Sequence, residues 1–302
     1  MGRTVSSFGC IVIVVVILAG SVGCASAPRK GSSLIYDSES FRAELRRRVP
    51  ELSDRMLKMP FEISAKTQAL AKKRVLAAPR GPARVRALVD FLSNPKPRGL
   101  GLQYDWATSS IAERTLELGR GDCVALATVM IGLGRGLGWP IYFAEARSRR
   151  PETHEFAEIT VLSDHMVVII VAKTVRMVVD FLGLVDDGYD IRPIDDLTAY
   201  AHLINNVAGH QVIRGDGRTT PETWSAALDG FRLATRIQPE LGRAWNNLGI
   251  AYTRLGRFDE ARAAYHRAVE LDTAFGSPER NLTIMETRAA GATTLTERKL
   301  PR

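Results

Sequence analysis

Apolar residues recur at helical spacing from Ser40 to about Ser93. Phe41, Leu45 and Val49 mark one face, and Val85, Leu88, Val89 and Leu92 another, the pattern of amphipathic helices. Pro50, Pro60, Pro79 and Pro82 divide this stretch into separate helices. A loop from Asn94 to Gly101 follows. Thr108 to Gly119 then returns to helical spacing through Ile111, Leu116 and Leu118, with Ser109 or Ser110 as the cap. Val124 to Leu133 is apolar nearly all round, which predicts a buried helix. Beyond it the runs become short and rich in β-branched residues: Ile141 to Ala146, Phe156 to Leu162, His165 to Val171 and Val175 to Phe181. These predict strands, with Arg147 to Thr153 and Ser163-Asp164 as breaks and Lys173-Thr174 as a hairpin turn. A buried helix followed by antiparallel strands predicts an α+β arrangement. Near Leu197 the character changes to paired helices.

The first residues have a different pattern. Arg3 is the sole charge before Arg29, and Cys10 to Leu18 is an unbroken apolar run followed by small residues up to Cys24. That is the layout of an export signal. The small residues ending in a cysteine resemble a bacterial lipoprotein signal, although Ser21 stands where an aliphatic residue is usual. The resemblance implies lipidation of Cys24, a tether over 25–39, and a place in the cell envelope, on the outer membrane facing the periplasm. A plain cleaved signal and an uncleaved membrane anchor are the alternatives, since about 20 apolar residues suffice to span.

Composition adds three constraints. The 302 residues leave room for one or two domains. The net charge of +8 is concentrated between Arg29 and Arg98, as at Arg46, Arg47 and Arg48. That segment reads either as a membrane- or wall-contacting surface or as solvated helix faces. Of the 3 cysteines, Cys10 and Cys24 lie in the export segment, so the body holds only Cys123 and has no disulfide framework.

Cys123 follows Arg120-Gly121-Asp122 at the start of the buried helix. Open backbone N–H groups and the positive end of the helix dipole favour a thiolate there, the form that attacks. Gly121 is expected to let the chain turn sharply. His165 opens one predicted strand, and Asp180 closes the next roughly opposite it. An imidazole and a carboxylate so placed fit a nucleophile–base–orienter set. Core packing is the alternative for Cys123, His154 is the rival base in the loop Arg150 to Glu155, and Asp180 is otherwise a turn carboxylate.

From Tyr104 to Phe181 the chain resembles the bacterial transglutaminase-like domain, which shares the papain-type cysteine protease core. The matching features are Gly121-Asp122-Cys123, the small apolar helix after it, Leu137-Gly138-Trp139-Pro140 leading into a strand, His165 at a strand start and Val179-Asp180 in the next strand. The resemblance implies Cys123 as nucleophile, His165 as general base and acid, and Asp180 as the group that orients the imidazole. It implies acyl transfer through a thioester, to water or to an amine, without metal or cofactor. No side chain is assigned to the oxyanion. Tyr104 and Trp106 stand upstream, where a donor would come from, and the backbone N–H of Cys123 is the preferred candidate.

Trp245, Leu248, Gly249, Tyr252, Gly256, Ala261, Tyr265 and Ala268 have the spacing of a tetratricopeptide repeat. Small residues at Gly249, Ala261 and Ala268 would let its two helices approach while the large ones interlock. Ala227, Phe231, Ala234 and Pro239 match an earlier repeat at the period of about 34 residues. An insertion including Thr220-Pro221 splits that repeat, and a closing helix begins near Ser277. Asn206, Asn247 and Asn281 recur at one repeat position, where the family hydrogen-bonds peptides; helix capping or solvent exposure is the alternative.

The resulting organisation is an export segment over 1–24, a tether over 25–39, and a transglutaminase-like α+β domain over 40–195. An all-α repeat segment over 196–290 and a tail over 291–302 follow. The expected function is amide-directed acyl transfer in the envelope, with a protein or peptide substrate, a partner protein in the repeat groove and the membrane at the N-terminus. The alternative is a catalytically inactive scaffold. No nucleic-acid reading motif is present, and an export signal argues against such a partner.

Overall fold

A computed structural model describes residues 14–18, 34–149, 153–156, 159–162, 165–172, 175–213, 220–271 and 277–299. In chain order the elements begin β1 (Val14–Leu18), α1 (Ser38–Arg48), α2 (Ala65–Leu76), α3 (Pro82–Ser93), β2 (Gln103–Tyr104), α4 (Ala112–Leu118), β3 (Arg120–Gly121) and α5 (Cys123–Gly136). They continue with β4 (Ile141–Ser148), β5 (Thr153–Phe156), β6 (Ile159–Leu162), β7 (His165–Ala172), β8 (Val175–Asp180) and β9 (Tyr189–Ile194). The rest is helical: α6 (Asp196–Ile213), α7 (Pro221–Ile237), α8 (Gly242–Arg254), α9 (Phe258–Leu271) and α10 (Ser277–Lys299). The chain divides into two compact units, Met1–Arg149 with Asp164–Ala199, and Arg150–Ser163 with Tyr200–Arg302.

The first unit is mixed helix and sheet. Asp37 caps α1 by accepting from the Ser40 N–H at 2.8 Å, and the helix buries Phe41 and Leu45. Its last turn carries Arg46, Arg47 and Arg48, which complement the helix dipole. Arg47 and Arg48 pair with Glu44 at 2.6 and 2.7 Å, and Arg46 pairs with Asp54 at 2.9 Å. This basic run is therefore a paired, solvated helix face. Helix α4 starts later than its spacing predicts. Ile111 stands at its N-cap without a side-chain bond, and neither Ser109 nor Ser110 caps it. The Ser109 hydroxyl instead donates to the Asp122 carboxylate.

The sheet has the order β1-β8-β7-β4-β9, with every neighbouring pair antiparallel. Helix α5 lies against β4 and β7. Its residues from Val124 to Gly134 are all buried, as an all-round apolar helix requires. Strand β9 has no clear alternation in the sequence; its burial alternates only once it is paired with β4. Strand β1 comes from the run read as an export signal and pairs with β8, Val14 opposite Asp180 and Leu18 opposite Arg176. Cys24 and the tether up to Ser33 lie outside the described residues.

Arg135 and Asp196 clamp the end of α5 to the start of α6 through two bonds of 2.8 and 2.7 Å. The Asp196 carboxylate is fully buried and also accepts from the Tyr36 N–H at 2.9 Å.

The second unit is helical apart from the β5–β6 hairpin. The run Phe156 to Leu162, expected to be one strand, supplies an end of β5 and the whole of β6. His154, expected in a loop, lies in β5 opposite Val161. Strand formation depends on the partner available more than on intrinsic preference, so the polar His154 and Glu155 are accommodated. In the repeat, α8 and α9 interlock as the small-residue spacing predicts. A Cβ at Gly249 would stand 2.7 Å from the Tyr265 ring, and Ala261, Ala268 and Tyr265 are buried. Gly230 faces Ala208 in the same manner, 2.6 Å from its Cβ. Thr220 opens α7 with a capping box closed by Thr223, followed by Pro221 in the first turn.

Candidate active site

Cys123 is the first residue of α5, and the helix start is built around it. Asp122 is the N-cap and accepts from the Ala125 N–H at 2.8 Å. The Asp122 N–H donates to the Thr108 carbonyl at 2.7 Å, and Asp105 N–H donates to the Gly121 carbonyl at 2.9 Å. These bonds hold the turn into the helix against β2, where Tyr104 stands opposite Gly121. The left-handed turn falls at Gly119, with φ of 68°, and not at Gly121. Gly121 is required for space: a Cβ there would meet Ala125 Cβ at 2.7 Å and Thr115 Cγ2 at 3.1 Å.

His165 and Asp180 reach the same place from β7 and β8. The register runs Val168 opposite Val179, with Ala172 opposite Val175. Continued one pair further, it sets Asp180 opposite Val167, so the imidazole meets the carboxylate on the diagonal and not directly across. Both residues still point to one face, since alternate positions share it. His165 Nε2 is hydrogen-bonded to Asp180 Oδ1, and both side chains are buried. The Cys123 thiol also lies near enough to favour the charged form of the imidazole. Cys123 itself is half-buried. The three residues that the sequence singles out therefore meet in one cluster.

The electrostatics follow from this placement. Burial alone would push the His165 pKa down. Asp180 and Cys123, each beside the ring, outweigh it and raise the imidazole to about 10. Burial likewise opposes ionisation of Asp180, and is overcome chiefly by His165. Backbone N–H groups help: Leu182 donates to Oδ1 at 2.9 Å, and Leu184 and Val185 donate to Oδ2 at 2.6 and 2.9 Å. The Asp180 pKa falls to about 2 as a result. These three donors lie in an irregular segment with no sequence pattern to announce them. Tyr104 is the other residue that spacing alone does not assign. Its phenol is held well above its usual pKa, first by burial and then by the charge on Cys123, ahead of Asp122, Asp105 and Asp180.

A thiol, an imidazole and a carboxylate in this order can pass a proton from sulfur to nitrogen and keep the resulting imidazolium charged. Among the described residues no group of three or more His, Cys, Asp or Glu is placed to hold a metal ion.

The asparagines of the second unit make a different arrangement. Asn247 Nδ2 donates to Asn205 Oδ1 at 3.0 Å, and Asn281 Nδ2 donates to Asn246 Oδ1 at 2.9 Å. Asn205, Asn246 and Asn281 are buried. Asn247 and Asn281 thus bridge successive first helices of the repeats, offset by one residue from the alignment Asn206, Asn247, Asn281. Asn206 is half-buried on α6.

Residues 242–273 match the family model of the tetratricopeptide repeat. A segment of 63 residues is 35% identical to a peroxisomal targeting signal receptor of Eremothecium gossypii, covering 21% of this chain and 11% of that protein. A segment of 65 residues is 34% identical to the protein of the same description in Saccharomyces cerevisiae, covering 22% and 11%. The chain thus spans about a tenth of the length of these curated relatives. The second unit carries a tetratricopeptide repeat, a module that serves protein–protein interaction.

Proposed function

We propose that the first unit is a transglutaminase-like, papain-type domain that transfers acyl groups through Cys123, and that the second unit holds a protein or peptide partner. The observation that carries this reading is the meeting of Cys123, His165 and Asp180 in one cluster, each delivered by a different element. In the proposed reaction the thiol proton already rests on His165, and the Cys123 sulfur attacks an amide carbonyl as the thiolate. The imidazolium then gives that proton to the leaving amine as the C–N bond breaks. Water or a second amine attacks the thioester, His165 takes up its proton, and the C–S bond breaks to restore the thiolate–imidazolium pair. Asp180 keeps the ring oriented and its charge balanced throughout.

The repeat supports partner binding, and the names of the two fungal relatives, receptors of a targeting signal, support a peptide as the ligand. Asn247 and Asn281 would act in such a groove from within their helix-bridging pairs, together with Asn206. The N-terminal pattern supports export and lipidation at Cys24, which would place the protein in the envelope, on the outer membrane facing the periplasm.

The test is alkylation of Cys123 by iodoacetamide across pH 5 to 9. The His165 imidazolium persists to about pH 10, so the wild-type rate should change little over this range. In His165→Ala the rate should fall steeply toward pH 5. If the two proteins give the same pH profile, the activated pair does not exist and the acyl-transfer reading fails.

A further inference from the structure

From Ile63 to Val89 the chain carries seven basic residues and no acidic one. Lys66, Lys72, Lys73 and Arg74 lie on α2, Arg80 in the turn after it, and Arg84 and Arg86 on α3. The arginines at the end of α1 are neutralised by Glu44 and Asp54, but among the described residues none of these seven forms an ion pair. Arg74 and Arg84 donate to the Pro97 and Ala78 carbonyls at 3.3 and 3.2 Å, which fixes the guanidinium groups and leaves their charge in place. The Glu113 carboxylate is taken up by the Ser64 N–H at the start of α2. The inner face of α2 is occupied: Ala71 and Val75 are buried, and the Gln68 amide donates to the Gly132 carbonyl of α5 at 2.8 Å. The outer face carries Lys66, Leu70, Lys73 and Leu76, whose steps of four, three and three residues set them in one stripe. All four are exposed, and the leucines keep 49% and 42% of their surface open.

We infer that this outer face of α2, with the basic turn into α3 beside it, docks on the surface of an anionic bilayer. Leu70 and Leu76 enter the boundary between headgroups and acyl chains. Lys66 and Lys73 lay their stems along the same boundary and raise their ammonium groups to the lipid phosphates. The other basic residues of the hairpin add attraction over the screening length of the solution. Charge fixes the sign of the partner, and the leucines fix its kind. A soluble polyanion would engage the lysines and leave both leucines in water, whereas a bilayer takes up both halves of the stripe. The proposed attachment at Cys24 would hold the unit at a membrane, and an anchor gains firm hold from a second, basic contact. This contact does not depend on the acyl-transfer reading.

The experiment reconstitutes the full chain into vesicles of phosphatidylcholine alone or of phosphatidylcholine and phosphatidylglycerol in equal parts. Leu70→Trp puts an indole on the stripe, and the wild-type emission is subtracted. Lipids with brominated acyl chains quench an indole that enters the bilayer. Quenching of Leu70→Trp should be at least about fivefold greater in the mixed vesicles, the factor that one basic residue supplies near an anionic surface. Adding Lys66→Gln and Lys73→Gln should remove most of that excess. Leu76→Trp reports on the same stripe should the first variant fail to fold, which thermal unfolding checks. Leu118→Trp, at an exposed position of α4, should show no such excess. Equal quenching in the two kinds of vesicle, or none in the mixed ones, would overturn the contact. Quenching of Leu118→Trp as strong as that of Leu70→Trp would do so too, since no particular face would then meet the lipid. If heparin shifts the Leu70→Trp emission while mixed vesicles leave it unquenched, the face takes a soluble polyanion and the bilayer contact is overturned. Each of these outcomes leaves the acyl-transfer reading where alkylation of Cys123 puts it.

Discussion

Asp180 receives four donors: the His165 imidazole and the N–H groups of Leu182, Leu184 and Val185. The carboxylate therefore holds the imidazole and also the chain after β8 in place. Removing it leaves donors with no acceptor in a largely buried setting, and each such group costs about 1–3 kcal/mol. Asp180→Ala should thus lose about 2–4 kcal/mol of stability by urea unfolding, and Asp180→Asn, which keeps a carbonyl oxygen, should lose less. Acylation should fall at least about 100-fold in both, because neither has the carboxylate that holds the imidazole in place and favours its charged form. A stable Asp180→Asn with undiminished acylation would remove Asp180 from the set. Tyr104 shows the other side of the residue scale. Nothing in its spacing separates it from Trp106, and only the pairing of β2 with β3 sets one of them opposite Gly121, two residues before Cys123.

Helix α5 shows how closely an element can be fitted. A Cβ at Gly132 would stand 2.1 Å from the Phe61 carbonyl oxygen, a backbone atom that cannot move aside alone. Ala is the better helix former by about 1 kcal/mol, yet Gly132→Ala should destabilise the protein by about 1–3 kcal/mol, the usual range for overpacking. Urea unfolding checks the sign. Strand β1 offers a second test. Processing at Cys24 would remove it and leave the outer edge of β8 without a partner, so the 176–180 amides that face β1 should exchange faster in a chain starting at residue 24 than in the full chain. Equal exchange would mean that β1 does not hold that edge. Elements were legible in the sequence in proportion to how far their pattern is local. The buried helix α5, the strands of the His165–Asp180 hairpin and the repeat helices α8 and α9 each carry their periodicity within one segment. Strand β9 and the β5–β6 hairpin depend on partners distant in sequence or interrupted by polar residues, and spacing does not reveal them. The site was legible to the same extent. Cys123, His165 and Asp180 sit at element ends that periodicity marks, whereas the donors to Asp180 lie in irregular chain.

Across the whole molecule the buried pair should leave a signature in stability against pH. His165 goes from an ordinary 6.5 to about 10 on folding, so the fold favours the protonated ring. That contribution is complete below pH 6.5 and is lost as pH rises through about 10. Asp180 goes from 3.8 to about 2, so the fold favours the carboxylate. Its contribution is complete above pH 3.8 and is lost as pH falls through about 2. Between pH 3.8 and 6.5 both are present in full. Other groups titrate in the acid range, among them Asp196, whose carboxyl is raised by burial against the pull of Arg135 and so opposes the trend of Asp180. The comparison with Asp180→Asn cancels those shared terms. The stability gap between wild type and Asp180→Asn should be widest from pH 3.8 to 6.5, closing toward lower pH as Asp180 takes up its proton. Toward pH 10 it should narrow only in part, because Cys123 still favours the charged ring in the variant. Urea unfolding of the two proteins at intervals from pH 3 to 10 measures the gap directly. A gap constant over the whole range would show that His165 and Asp180 meet as neutral partners, and the imidazolium on which the proposed thiol activation depends would be absent.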